Sequence, residues 1–439
     1  MKILIITPEG TGGNSSSAYL LRNLFSTYDK SSLAFLVHKS SHTQTYSACH
    51  TWKLSNFGFN FKKIEHSKMV SIKPNRFLDF LKSFSALKSL LNILLKISPL
   101  PTVPDHFLKW CKHEYRPDII YTWLGSRQSA SIVLQLKEQL NIPVAVHFMD
   151  DWLSGYSSFA NINIFGIYQL KKMVDKILDD QTSLFVISHS MSVEYQKRFN
   201  KTAHVINTCV SNELLKILSK KDTKRSQDYQ DVGVLRLTYI GRLLYGRDKV
   251  LQYLLNTVES NPYLANKIKI SVYSQDRDLL KTNKDIDLLS IYSAPEDKDL
   301  PGIQRSTDFL LHIDGFAKEH ITYFMHSSTG KFSLYLALAR PLLCISPPEL
   351  NTFNEFKRLN AGFYIDHLDP QRVNDTLMQC LNLSNQESSA IGLRMQAEAE
   401  LLQCSAMQSR FISKIKAMIS ENLELTRQQP SPVKPGDGC

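Results

Sequence analysis

"SNELLKILSKKDTKRSQDYQD", residues 211–231, is where the chain changes rhythm. It is polar, densely charged and poor in β-formers, as a linker or crossover is. On either side of it, short apolar runs alternate with helical patterns. Before it, residues 2–7, 33–38, 118–122, 143–148, 183–188 and 203–207 read as strands, with helical stretches such as 15–27, 127–140 and 189–199 between them. After it the alternation restarts at 235–241, 267–273, 308–314 and 340–346. Strands separated by helices predict parallel sheets covered on both faces. The break therefore implies an α/β chain of two doubly wound, Rossmann-like lobes facing across a cleft, with ligands outside the carboxyl ends of the strands. The expected organisation is a first lobe over 1–210, a charged linker over 211–233 and a second lobe over 234–400. A C-terminal helix over 401–427 is expected to pack back on the first lobe, and 428–439 to be a disordered tail.

The 439 residues, 43% of them hydrophobic, are enough for two or three domains. Lysine and arginine number 52 against 41 acidic residues, a formal charge of +11. Such an excess points to phosphorylated ligands or an anionic membrane surface. Nucleic acid is not an expected partner, because the basic residues are spread and no nucleic-acid motif is present. The seven cysteines form no CxxC pair and have no histidines at zinc spacing, so they read as reduced thiols of a cytoplasmic protein. "MKILIITPEG" has none of the regions of a signal peptide, and no run reaches the ~18 apolar residues of a membrane span.

Five segments carry candidate chemistry. In "TPEGTGGNSSSAYLLRNLF" (7–25), Gly10, Gly12 and Gly13 let backbone amides approach an anion before a helix capped by Asn14 or Ser15. An ordinary tight turn is the alternative, since Ser15 stands where a dinucleotide fingerprint needs its last glycine. "VAVHFMDDWLSG" (144–155) ends a strand in His147, Asp150, Asp151 and Trp152. His147 could orient a substrate hydroxyl with Asp150 or Asp151 setting its tautomer, and Trp152 could stack on a sugar. The alternative is that Asp150 caps the next helix and His147 is a satisfied core residue. "TYIGRLLYGRDKVLQYLL" (238–255) sets Arg242, Arg247 and Lys249 at a strand-to-helix junction, suited to a diphosphate unless they are surface charge beside Asp248. "HSSTGKFSLYLALARPLLCIS" (326–346) places Ser327, Ser328, Thr329, Gly330 and Lys331 before an apolar helix, an anion site by helix dipole and free amides. It is not a Walker loop, because the leading glycine is absent. Residues 76–98 are apolar, lysine-bearing and almost without acid, which suits either an interfacial helix or one packed on its own lobe.

Together these segments resemble GT-B glycosyltransferases, in particular the family 4 type that builds bacterial surface polysaccharides. "HFMDDW" followed by "FVISHSMSVEYQKRF" (185–199) is similar to the acceptor-lobe pattern. "YIGRLLYGRDK" is similar to the donor-lobe "GRL…K" segment, with Arg242 matching its arginine and Arg247 in the lysine's place. "DFLLHIDGF…SSTGKFSLYLALARPLL" is similar to the segment that closes on the donor. The resemblance implies transfer of a sugar from a nucleotide diphosphate donor with retention, without cofactor or obligatory metal. The acceptor would be a glycan or a lipid-linked glycan at the inner face of the cell membrane, reached through residues 76–98. His147, Asp150 and Asp151 would be catalytic. Gly12, Gly13, Arg242, Arg247, Asp314, Ser328, Thr329 and Lys331 would bind the donor. Two positions depart from the pattern: Leu334 replaces its glutamate and Ala339 its glycine. Asp314 then stands as the surviving family carboxylate. A sugar-nucleotide 2-epimerase and a degenerate partner subunit are the competing readings.

Overall fold

The computed structural model describes residues 1–8, 10–11, 16–37, 45–46, 49–54, 61–64, 100–154, 164–219, 233–280 and 288–428. Gly12, Gly13, residues 76–98 and the tail from 429 onward lie outside them.

Two sheets form. The first has the order β4-β3-β2-β1-β5-β6-β7-β8, from β1 (Ile3–Thr7), β2 (Leu33–Val37), β3 (His50–Leu54), β4 (Phe61–Ile64), β5 (Ile119–Thr122), β6 (Val144–Phe148), β7 (Thr182–Val186) and β8 (Ala203–Val205). All its pairings are parallel except that of β4 with β3 at the edge. The second has the order β11-β10-β9-β12-β13-β14, from β9 (Leu235–Ile240), β10 (Ile268–Tyr273), β11 (Leu289–Tyr292), β12 (Phe309–Ile313), β13 (Leu342–Ile345) and β14 (Gly362–Ile365), and is wholly parallel. Its order is the 3-2-1-4-5-6 of a doubly wound dinucleotide fold, whose strand order reverses between β9 and β12 and opens a crevice there.

Strand alternation builds the cores. In β6, Val144, Val146 and Phe148 join the core under one helical layer, while Ala145 and His147 point to the other face. That second face is covered by the helices Ser16–Leu24 and Cys404–Gln428, the latter inserting Phe411 between Phe25, Tyr121 and Phe185. The C-terminal helix of the chain thus belongs to the first sheet's core. In β12, Phe309, Leu311 and Ile313 face one core, and Leu310 and His312 the other. Four strands carried too weak a period to be expected from sequence: β3, β4, β11 and β14.

The segment expected as a linker begins as structure. Asn212–Ser219 is a helix whose Leu214, Leu215 and Leu218 pack into the second lobe; residues 220–232 lie outside the described ones. The long helical stretch near the C-terminus breaks after Leu401. There Val210 accepts from the Cys404 amide (3.0 Å) and donates to the Leu402 carbonyl (3.1 Å), so the two chain crossings between lobes are bonded to each other. Ala339, at the family's glycine position, sits at φ 51, in the left-handed region where glycine is cheapest.

Candidate active site

The second lobe gathers its charges at the carboxyl ends of β9, β12 and β13. Arg247 opens the helix Arg247–Glu259 and donates to Asp314 Oδ1 from Nη2 (2.8 Å) and Nε (3.1 Å), and to the Ile313 carbonyl (3.2 Å). Asp314 Oδ2 accepts from His312 Nε2 (2.8 Å) and Ser346 (3.1 Å). His312 and Asp314 meet because residues two apart on an extended chain share a face. Burial would raise the Asp314 carboxyl, but His312 and Arg247 outweigh it and hold it far below the usual carboxylate range. Both oxygens are spent inside the lobe, so Asp314 acts as the anchor of Arg247. As a substitute for the missing family glutamate it has no capacity left.

Lys331 caps the helix Phe332–Leu338 from the N-terminal side. Its Nζ is buried, lies 4.1 Å over the Tyr239 ring and has no hydrogen-bond partner among the described residues. Burial first, then the like charge of Arg247, push its pKa well below the ordinary lysine value, with Asp314 opposing. Its side chain runs against Gly241, where an added Cβ would meet Lys331 Cδ at 2.8 Å. The glycine at the end of β9 also sits at φ 145, where L side chains are strained, so backbone and close approach together favour it. Arg242 is half exposed and bonded through Nε to Asp276 (2.6 Å).

Ser328 donates to Glu355 (2.9 Å), and the Thr329 amide to Thr352 (3.1 Å). Burial raises the Glu355 carboxyl, which Ser328 and Asn351 partly offset. Leu334 packs as a partly buried apolar residue against the lobe's core.

The first lobe contributes Asp150, which follows β6 and faces Ser327 and Arg247 of the other lobe. Burial raises its pKa, with the Ser327 hydroxyl and the Arg247 charge pulling the other way. Its neighbours are corrections to the sequence reading. Asp151 is buried and accepts from Tyr195 (2.9 Å) and from both terminal nitrogens of Arg198 (2.8 and 3.2 Å). It is an internal ion pair. Trp152 is buried and stacks on Phe148. His147 is fully buried on the face covered by the C-terminal helix, with Nδ1 2.9 Å from the Tyr121 hydroxyl. Its place inside β6, rather than after it, decides this: position 147 falls on the even step of the strand and turns from the cleft.

The site thus unites Asp150, Arg247, Asp314 and Lys331, with Arg242, Ser328 and Thr329 at its margin, and excludes His147 and Asp151. His312, Ser346, Tyr239, Asp276 and Glu355 were not singled out from sequence. Only His312 had a local signal, its i, i+2 spacing to Asp314.

Comparison with known proteins adds the architecture's relatives. No family model matches the chain, and no curated protein matches it. Among solved structures it is similar over 96% of its length to all of the sucrose-phosphate synthase of Thermosynechococcus elongatus, with TM-score 0.61 and 11% identity. HepE of Anabaena in complex with UDP gives 0.61 at 11% identity, covering 95% of this chain and 100% of that one. The α,α-trehalose 6-phosphate synthase of Burkholderia multivorans gives 0.58 at 10%, covering 97% and 100%. The fold is GT-B. HepE is also solved with UDP-glucose, and a trehalose-6-phosphate synthase of the same fold is described as transferring with retention. No helix among the described residues is long and apolar enough to cross a membrane.

Proposed function

We propose that this GT-B protein is a glycosyltransferase of the family 4 type. It moves a sugar from a nucleoside diphosphate donor, with retention and without an obligatory metal, to a glycan or lipid-linked acceptor in surface polysaccharide synthesis. One observation carries the reading: Lys331 Nζ, buried beside Arg247 without an acceptor among the described residues, at the crevice of a 3-2-1-4-5-6 sheet. A buried amine with no partner among the described residues, its protonated form disfavoured by burial and by Arg247, is expensive, and a diphosphate would supply the negative charge and acceptors that hold its proton. The same cations meet the negative charge that develops on the leaving diphosphate. Asp150, across the cleft with its pKa raised by burial, would orient the acceptor hydroxyl or hold its proton. UDP is the first ligand to test, because HepE carries it.

Calorimetry with uridine, guanosine, thymidine and cytidine diphosphates and their nucleosides tests this. Lys331→Met keeps the alkyl chain against Gly241 and removes the charge. It is expected to weaken diphosphate binding by about 1.5–3 kcal/mol, roughly 10- to 150-fold, and to leave nucleoside binding nearly unchanged. Arg242→Ala should lose less, since Asp276 already engages its guanidinium. No heat with any diphosphate from folded wild-type protein would sink the enzyme reading.

Peripheral membrane association through residues 76–98 is part of the proposal and rests on sequence. Replacing Lys82, Lys88 and Lys96 by glutamine should weaken co-sedimentation with anionic vesicles, at about 1 kcal/mol per lysine near the surface, and salt should mimic the effect. Unchanged co-sedimentation would make the stretch an ordinary packed segment.

A further inference from the structure

Among the described residues, two contacts between the lobes differ in character. At one end the chain crosses between them twice, at 209–211 and 402–404, and the crossings are bonded through Val210. Asn23 of the first lobe donates to the Cys209 carbonyl there (3.0 Å). This is a fixed, backbone-paired end. At the other end a segment of the second lobe crosses to the first. Tyr323 packs against the first lobe's core. Ser188 Oγ donates to the His326 carbonyl (2.5 Å), and Ser190 Oγ meets His326 Nδ1 (2.9 Å). Ser327, next in sequence, lies against Asp150.

We propose that Ser188, Ser190 and His326 are the latch that closes the two lobes, and that Ser190 and His326 are positioning residues for the transfer proposed above, on which this second clause rests.

Both sides of the contact are rigid. Ser188 is the N-cap of the helix His189–Phe199 and also accepts from the Met191 amide (3.0 Å), which fixes its hydroxyl toward the partner carbonyl. Ser190 stands in the first turn of that helix. On the other lobe, Met325 accepts from the Asn351 amide (2.8 Å), and Ser328 and Thr329 are bonded to Glu355 and Thr352. The loop around His326 therefore moves with its lobe. It is also connected to both walls of the site. Phe324 lies 5.4 Å from the Arg247 guanidinium, and Lys331 follows His326 by five residues. Seating His326 on Ser188 and Ser190 brings Asp150 to Ser327 and Arg247, so the latch sets the distance between the proposed acceptor carboxyl and the donor cations. The latch's polar contacts are a few hydrogen bonds, each weak in net terms, so the contact can form and release in each cycle. The hinge, made of paired backbone, does not need to break.

Ser190→Ala tests this, because it removes the partner of His326 Nδ1 and touches nothing in the second lobe's charge cluster. Small-angle scattering of the full chain should give a larger radius of gyration for Ser190→Ala and His326→Ala than for wild type, with or without UDP. With an active donor, kcat should fall about tenfold, the loss of roughly one hydrogen bond from the closed state, while calorimetric UDP affinity stays within about twofold. Ser190→Thr, which keeps the hydroxyl, should restore both readouts. Scattering and kcat of Ser190→Ala and His326→Ala equal to wild type would overturn the latch. The scattering arm needs no substrate, so wild type that binds no diphosphate removes the glycosyltransferase reading and leaves the closure result to stand or fall alone.

Discussion

Asp314→Ala is expected to destabilise the protein by about 3–5 kcal/mol, the range for breaking a buried ion pair by removing one partner. The carboxylate is buried, and its two oxygens receive Arg247, His312 and Ser346. Without it the Arg247 guanidinium loses its direct ion pair and keeps, among the described residues, the Ile313 carbonyl, the rings of Phe324 and Tyr245 and the more distant charge of Asp150. Urea denaturation reads the loss of stability. Diphosphate calorimetry on the remaining folded protein should show weaker binding as well, since Arg247 loses its fixed direction. Asp314→Ala combined with Arg247→Met should cost less than the sum of the two single changes, because the double variant no longer leaves the guanidinium buried without its carboxylate. The pH dependence has a definite sign. A carboxylate whose folded pKa lies below its unfolded value stabilises above the unfolded pKa, near 4, and the stabilisation drains away as pH falls below it. Stability equal to wild type in Asp314→Ala would mean that Arg247 finds its counter-charge elsewhere.

How much of this was readable beforehand follows from what each residue's role depends on. The two lobes were visible because buried parallel strands are long apolar runs and the break at 211–231 is abrupt. Strands β3, β4, β11 and β14 were not, because they mix polar or charged residues and a glycine among their apolar ones, unlike equally short runs such as Ile119–Thr122 and Leu342–Ile345. Without a continuous apolar run, so short a stretch shows no period that can be told from chance. Arg247 and Lys331 were legible because helix starts after strands are marked by local residues. Their partners were less so. Asp276 follows β10, Ser346 follows β13 and Tyr239 lies within β9, and no local pattern announces that three strand ends converge. The role of Asp314 was misjudged for a related reason. Sequence shows an acid near basic residues but does not show that both its oxygens are already taken. Asp151 was misread likewise, because Arg198, its partner, comes 47 residues later on another element. The interlobe contact of His326 had no sequence signal at all, depending as it does on how two separately folded lobes meet.

His147→Ala is expected to lower stability by about 3 kcal/mol, from the cavity left under the C-terminal helix and the hydroxyl left unpaired. It should leave donor binding intact. The imidazole sits among Tyr121, Phe185 and the helix bearing Phe411. Tyr121 accepts from Trp123 Nε1 (3.0 Å) and so turns its own proton to His147 Nδ1, placing the ring proton on Nε2. Burial pushes the pKa down to about 4, the Ile206 main chain opposing weakly. The ring is therefore neutral at pH 7 and has no cleft-facing proton to exchange. From this shift a second measurement follows. The unfolded chain takes up a proton near pH 6.5 that the folded chain refuses until about 4, so acid pulls the equilibrium toward the unfolded state over that window. The gap between those two values corresponds to about 3 kcal/mol lost between pH 6.5 and pH 4, and to nothing above 6.5. His147→Gln, which keeps polarity without titrating, should flatten that part of the stability profile. Urea midpoints of wild type and variant across this range read the difference directly. The opposite pattern, native stability in His147→Ala with turnover reduced about 100-fold, is what a positioned catalytic histidine gives. It would return His147 to the mechanism and require the first sheet to open toward the cleft at β6.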